Sequence, residues 1–196
     1  MLGDIIAKVK NQMVGYICDE QNNIQILLET VELAGEGNYC EIGVLYGGSL
    51  CAAALYKKEL GHQGLCYGVD PLDGYYMDHP TRRNVRHPFS KVKISTRPVY
   101  RNAEIFRLDN IRLEVTKSYP FPDIGPFSCV YIDGDHWNGT PLKDWESVKD
   151  ITTGYVIFDN CDEDHPDVMI ACHAAETSPG WDLVRNEGIS FVVRHK

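Results

Sequence analysis

Between Tyr39 and Ser49 the chain reads Tyr-Cys-Glu-Ile-Gly-Val-Leu-Tyr-Gly-Gly-Ser, and no other stretch restricts the fold as much. A short β-prone run ends at Glu41-Ile42-Gly43, three residues pass, and Gly47-Gly48-Ser49 opens into an alanine-rich, helix-prone run from Leu50 to Leu60. Strand, glycine turn and helix follow in that order. Such a turn brings backbone N–H groups and a helix N-terminus close to a ligand, because glycine has no Cβ to hold it off. The spacing is Glu-x-Gly-x-x-x-Gly, not Gly-x-Gly-x-x-Gly, and a turn of this kind also serves as a plain tight connection. The next apolar run, Leu65–Val69, ends in Asp70, and a carboxylate there is placed to accept both hydroxyls of a ribose. Together the two features predict an adenosine-containing ligand.

The rest of the chain repeats the alternation. Helices are expected over Leu2–Val14 and Gln21–Leu33, where apolar residues recur at three- and four-residue spacings. Strand Asn38–Ile42, helix Ser49–Leu60 and strand Leu65–Asp70 come next. An irregular, basic stretch over Pro71–Pro98 reads as a long loop, a length that usually signals function or mobility. A helix over Val99–Leu108, a strand over Arg112–Thr116, a proline-marked loop and strand Ser128–Ile132 follow. Pro141 and Pro166 suit the first turns of helices running to Asp150 and Glu176, on either side of strand Tyr155–Phe158. Asp182–Arg185 and Ile189–Arg194, joined through Asn186-Glu-Gly188, read as a closing hairpin. The expectation is one α/β domain over 1–196, Rossmann-like and doubly wound. Its seven-stranded sheet would be mostly parallel, with an antiparallel C-terminal edge and the two helices of 1–34 in front.

At 196 residues, 43% hydrophobic and 24% charged, the chain matches a globular protein with a sizeable core. No apolar run approaches the ~20 residues that cross a membrane, and Met1–Lys10 lacks the pattern of a secretory signal. Seven scattered cysteines without Cys-x-x-Cys pairs read as free thiols of a reducing cytoplasm. The formal charge is −9, yet from His79 to Ala103 no acidic residue occurs while seven of the nineteen Lys and Arg side chains do. That segment either holds an anionic substrate or docks on acidic surface, of its own domain or of a second copy in a homo-oligomer. Overall acidity argues against nucleic-acid binding.

The densest chemistry lies further on. Val130-Tyr-Ile-Asp-Gly-Asp-His136 carries a buried run straight into two carboxylates and an imidazole, and Val156-Ile-Phe-Asp159-Asn160 does the same one strand later. Open α/β sheets bind ligands at this carboxyl edge. If the two strands are neighbours, Asp133, Asp159 and Asn160 converge as hard oxygen ligands suited to Mg²⁺. Singly, each also makes a good helix cap.

In its order Glu-x-Gly-x-x-x-Gly-Gly-Ser, strand-end Asp70, Ile-Asp-Gly-Asp-His, Asp144 and Phe-Asp-Asn, the chain resembles the class I S-adenosylmethionine-dependent methyltransferases. It is similar in particular to the macrocin O-methyltransferase and cephalosporin-biosynthesis methyltransferase group, with the metal pattern of catechol O-methyltransferase. The resemblance covers about Tyr39 to His173. It implies that Glu41, Gly43, Gly47, Gly48 and Ser49 surround the methionine end of S-adenosylmethionine, with Asp133 bordering the same site. Asp70 would hold the ribose, and Lys117 and Ser118 would lie near the adenine. Asp133, Asp159 and Asn160 would hold Mg²⁺ or another divalent cation. His136 would be the general base, with Asp135 the second candidate.

The implied reaction is methyl transfer to a hydroxyl of a small molecule or sugar. A neutral imidazole titrates near pH 7 and can take the hydroxyl proton, while a cation on the acceptor oxygen lowers its pKa. Two other classes share part of the pattern. A nicotinamide-dependent oxidoreductase uses a glycine turn and Asp70 but needs no clustered carboxylates. A noncatalytic S-adenosylmethionine-binding protein needs no His136.

Overall fold

The computed structural model describes residues 2–72 and 94–196. The chain opens with α1 (Leu2–Gln12) and α2 (Asn23–Ala34), then β1 (Tyr39–Ile42), α3 (Gly48–Glu59) and β2 (Cys66–Val69). After the basic stretch come α4 (Thr96–Phe106), β3 (Ile111–Glu114), β4 (Phe127–Ile132), α5 (Thr140–Val148) and β5 (Thr152–Phe158). Helix α6 (Pro166–Glu176) and the hairpin β6 (Trp181–Glu187) and β7 (Ser190–His195) complete it. Most of the expected 71–98 loop, with Arg82, Arg83, Arg86, Lys91 and Lys93, lies outside the described residues. Among those described, no helix is long and apolar enough to cross a membrane.

The seven strands form one sheet in the order β3-β2-β1-β4-β5-β7-β6. The first five are parallel, and β7 runs antiparallel to both β5 and β6. The expected Rossmann-like sheet with an antiparallel C-terminal edge is therefore observed. Side chains alternate between two cores, as the strand period of two requires. Tyr39, Cys129, Tyr131 and Ile157 face α1–α4, whereas Cys40, Ile42, Val130, Ile132 and Phe158 face α5 and α6.

Element ends differ from expectation where backbone conformation intervenes. Helix α2 starts at Asn23, not Gln21, because Gln21 and Asn22 hold left-handed φ values of 48° and 65°. Strand β5 starts at Thr152, before Gly154, whose absent side chain lets the Ser128 carbonyl of β4 pass; a Cβ there would lie 2.2 Å from that oxygen. Helix α4 starts three residues earlier than Val99 and carries Pro98 within its first turn, where a missing N–H costs nothing.

Candidate active site

Parallel pairing decides which residues meet at the carboxyl edge. Val69 is in register with Ile42, Ile42 with Ile132, and Ile132 with Phe158. The next residue of each strand therefore joins one row across the sheet: Asp70, Gly43, Asp133 and Asp159. Backbone bonds continue into this row, with Gly43 N–H donating to Val69 O (3.0 Å), Asp133 N–H to Ile42 O (2.8 Å) and Asp159 N–H to Ile132 O (3.0 Å). The row spans the point between β1 and β4 where strand order reverses, the crevice in which open α/β sheets take ligands.

The glycine turn is packed by the chain itself. Gly43 has φ 89°, and a Cβ there would lie 2.1 Å from the Asp133 carbonyl oxygen. Gly47 abuts Val99 of α4, and Gly48 abuts Ile17 and Met13 of the segment between α1 and α2. That segment crosses over the turn and is stitched down by Asn102 of α4. The buried Asn102 side chain accepts from Val14 N–H (2.6 Å) and donates to Val14 O (3.0 Å) and Tyr46 O (2.8 Å). Nothing in the sequence marks Asn102, because a lone Asn inside a helix carries no signal of a partner on a distant segment.

Glu41 is fully buried, accepting from Ser49 Oγ (2.9 Å) and Tyr39 Oη (2.9 Å). Burial pushes its carboxyl well above the usual range, and the two donors offset only part of that. Asp70 accepts from the N–H groups of Val44 (2.7 Å) and Leu45 (3.1 Å) through Oδ2 and from Leu72 N–H (2.8 Å) through Oδ1. It thus pins the turn after β1 while keeping acceptor capacity to spare, since a carboxylate has about four lone-pair sites. Lys117 is exposed, beyond the end of β3. Ser118 neighbours Asp144 of α5, a buried carboxyl whose two oxygens have no hydrogen-bond partner. Burial is the largest cause that raises Asp144, to about 6.

Asp133 and Asp159 lie at adjacent strand ends. Asp159 is 3% exposed, and burial, followed by the charge of Asp133, pushes it up to about 8. Nearby, the buried Tyr131 hydroxyl has no hydrogen-bond partner, and burial and then the charge of Asp159 raise its pKa well above ordinary. His136 Nε2 lies 3.4 Å from Asp133 Oδ1. Burial works against the imidazolium, but Asp133, with Asp159 and Asp135 behind it, outweighs burial and raises the pKa. The ring packs edge-on against His165 at 5.0 Å, whose Nδ1 lies 2.7 Å from Asp162 Oδ1. Asp135, by contrast, is exposed and caps its own loop, accepting from Trp137 N–H (3.1 Å) and Thr140 Oγ1 (3.3 Å).

The oxygen donors fit a hard cation in their chemistry. Two carboxylates, one of them buried, face each other's charge, and Asn160 follows Asp159 in a left-handed conformation (φ 58°). Among the described residues no group of three or more His, Cys, Asp or Glu is placed to hold a metal ion, so the two carboxylates would need the Asn160 amide oxygen as third ligand.

The sequence matches no protein-family model and no curated protein. Solved structures do resemble it. The O-methyltransferase NovP superposes with a TM-score of 0.72 at 14% identity, over 100% of this chain and 98% of that one. An O-methyltransferase from Bacillus cereus, in complex with SAH, gives 0.64 at 15% identity over 100% and 90%. The O-methyltransferase TomG from Streptomyces achromogenes, in complex with SAM, gives 0.63 at 12% over 98% and 89%. At these identities the likeness is one of fold, and it extends over nearly the whole length of each chain.

Proposed function

We propose that this chain is an S-adenosylmethionine-dependent O-methyltransferase that acts on a hydroxyl of a small molecule with the help of a divalent cation. The observation that carries the reading is the row Asp70, Gly43, Asp133 and Asp159 at the β1–β4 reversal, with His136 3.4 Å from Asp133. Proteins of the same fold are O-methyltransferases, one in complex with SAM and one with SAH.

Methyl transfer is an in-line displacement in which an acceptor oxygen takes the sulfonium methyl and a neutral thioether leaves. The protein has two reactants to align and one proton to remove. In this reading Asp70 accepts from the ribose through the acceptor capacity its three backbone bonds leave, and Lys117 and Ser118 border the adenine. Glu41 acts from below, tying Ser49 and Tyr39 together under the turn rather than meeting the ligand itself. Asp133, Asp159 and Asn160 would hold the cation, Mg²⁺ by the hardness of the donors. Bound there, it supplies Lewis acidity that lowers the pKa of an acceptor hydroxyl. His136 takes the acceptor proton, and the carboxylates around it stabilise the imidazolium that results. Asp135 is spent on capping and takes no proton. The test is release of labelled methyl from S-adenosylmethionine to a panel of hydroxylated acceptors, with and without exhaustive chelation. Transfer that chelation abolishes and Mg²⁺ restores is expected. Transfer that survives chelation removes the cation from the account, and no transfer to any acceptor removes the enzyme.

A further inference from the structure

The buried amide of Asn23, at the first position of α2, reaches across to the end of β5. Its Nδ2 lies 3.3 Å from Asp159 Oδ1 and 3.2 Å from Oδ2, although the two residues are 136 positions apart. The other end of the amide is committed as well: Oδ1 accepts from Glu20 N–H (3.0 Å) and Ile24 N–H (2.9 Å). Turning the amide over would set its NH₂ against two N–H donors, so its orientation is fixed by the backbone. The left-handed residues Gln21 and Asn22 swing the chain so that this side chain points inward, and Asn23 is only 1% exposed.

A helix start needs an oxygen acceptor, and Oδ1 provides it. The Nδ2 half has no part in that, and its acceptors are the two oxygens of Asp159. We propose that Asn23 is a positioning residue for the cation site, fixing the Asp159 carboxylate and coupling the segment that crosses the glycine turn to it. The inference rests on the methyl-transfer reading above, because a bound cation requires the Asp159 oxygens to be held in one orientation. That segment carries Tyr16 and Cys18, both exposed. The segment over the glycine turn and the end of β5 are thereby tied through one side chain.

The test uses the full chain and Mn²⁺ alone as the probe, read by electron paramagnetic resonance, beside a calorimetric titration of S-adenosylhomocysteine. Asn23→Ser keeps a hydroxyl to cap Glu20 and Ile24 but cannot reach Asp159, and Asn23→Thr fills more of the vacated volume if the serine variant is unstable. Outer-shell partners of metal ligands are worth about 10–100-fold in metal affinity, and a loss of that size is expected with S-adenosylhomocysteine affinity unchanged. Wild-type Mn²⁺ affinity in either folded variant would overturn the proposal and leave Asn23 as a helix cap. A wild-type protein that binds S-adenosylhomocysteine but no Mn²⁺ overturns the proposal and leaves methyl transfer standing. Binding of neither overturns both.

Discussion

Replacing Gly43 by alanine isolates the contact on which the row of site residues depends. The substitution carries two costs. At φ 89° an L-residue is disfavoured by about 1–2 kcal/mol. The new Cβ would also sit 2.1 Å from the Asp133 carbonyl oxygen and 2.5 Å from its carbon, so β1 and the loop after β4 must separate. Overpacking of this kind adds about 1–3 kcal/mol. A combined loss of about 3 kcal/mol corresponds to a fall in midpoint of roughly 6–12 °C for a chain of this length. Gly61→Ala is the control: φ is 72° and nothing lies within 4 Å of the added Cβ, so only the first cost applies. Urea and thermal unfolding of both variants give the difference directly, and methyl transfer should fall in Gly43→Ala alone because Asp133 is displaced. Equal destabilisation of the two variants would refute the claim that the Asp133 carbonyl, and not local backbone conformation, demands glycine at position 43.

Other perturbations follow from the same geometry. Asn102→Ala removes three hydrogen bonds that hold Val14 and Tyr46, at about 1 kcal/mol each; urea unfolding should show a loss near that sum, and amide exchange at Val14 should quicken. Asp144, raised from an unfolded value near 4 to about 6, binds its proton more tightly in the folded state. Its contribution is intact below pH 4 and is lost as pH rises through 6, by about 3 kcal/mol in all. Asp144→Asn should therefore gain stability over wild type across pH 4–6 in parallel urea titrations, and a constant difference between the two would count against a buried, unpaired carboxyl. His136→Ala should lose about 10²–10⁴-fold in turnover, while Asp135→Ala, which loses only loop caps, should keep most of it; the reverse order in side-by-side assays would move the base to Asp135.

Much of this arrangement is legible in the sequence because it rests on local patterns. Apolar runs ending in Asp70, Asp133 and Asp159 mark strand ends, and strand–helix–strand alternation sets all three at one edge of a parallel sheet, but that β4 pairs with β1 and not with β3 is visible only in the structure. The role of the glycines is not legible in the same way. At Gly47 and Gly48 the space a Cβ would take is filled by Val99 and Ile17, and a sequence gives no sign of which distant side chain will lie against a missing Cβ. The two carboxylates differ for the same reason. Asp133 and Asp135 stand two residues apart in one motif, yet Asp133 faces the strand row and His136, whereas Asp135 turns outward to cap Trp137 and Thr140. Asn23 is the clearest case. Inside a run expected to be helical from Gln21 it carries no mark of its own, and its bond to Asp159 goes with the two left-handed residues that precede it.

The most direct test of the account is an equilibrium titration of the wild-type protein with S-adenosylhomocysteine, set against the same titration with NADH. The carboxyl-edge reading predicts saturable one-to-one binding of S-adenosylhomocysteine, weakened by Asp70→Ala through the loss of about 1–3 kcal/mol of ribose hydrogen bonding, and no binding of NADH. Saturable binding of NADH with none of S-adenosylhomocysteine would contradict it.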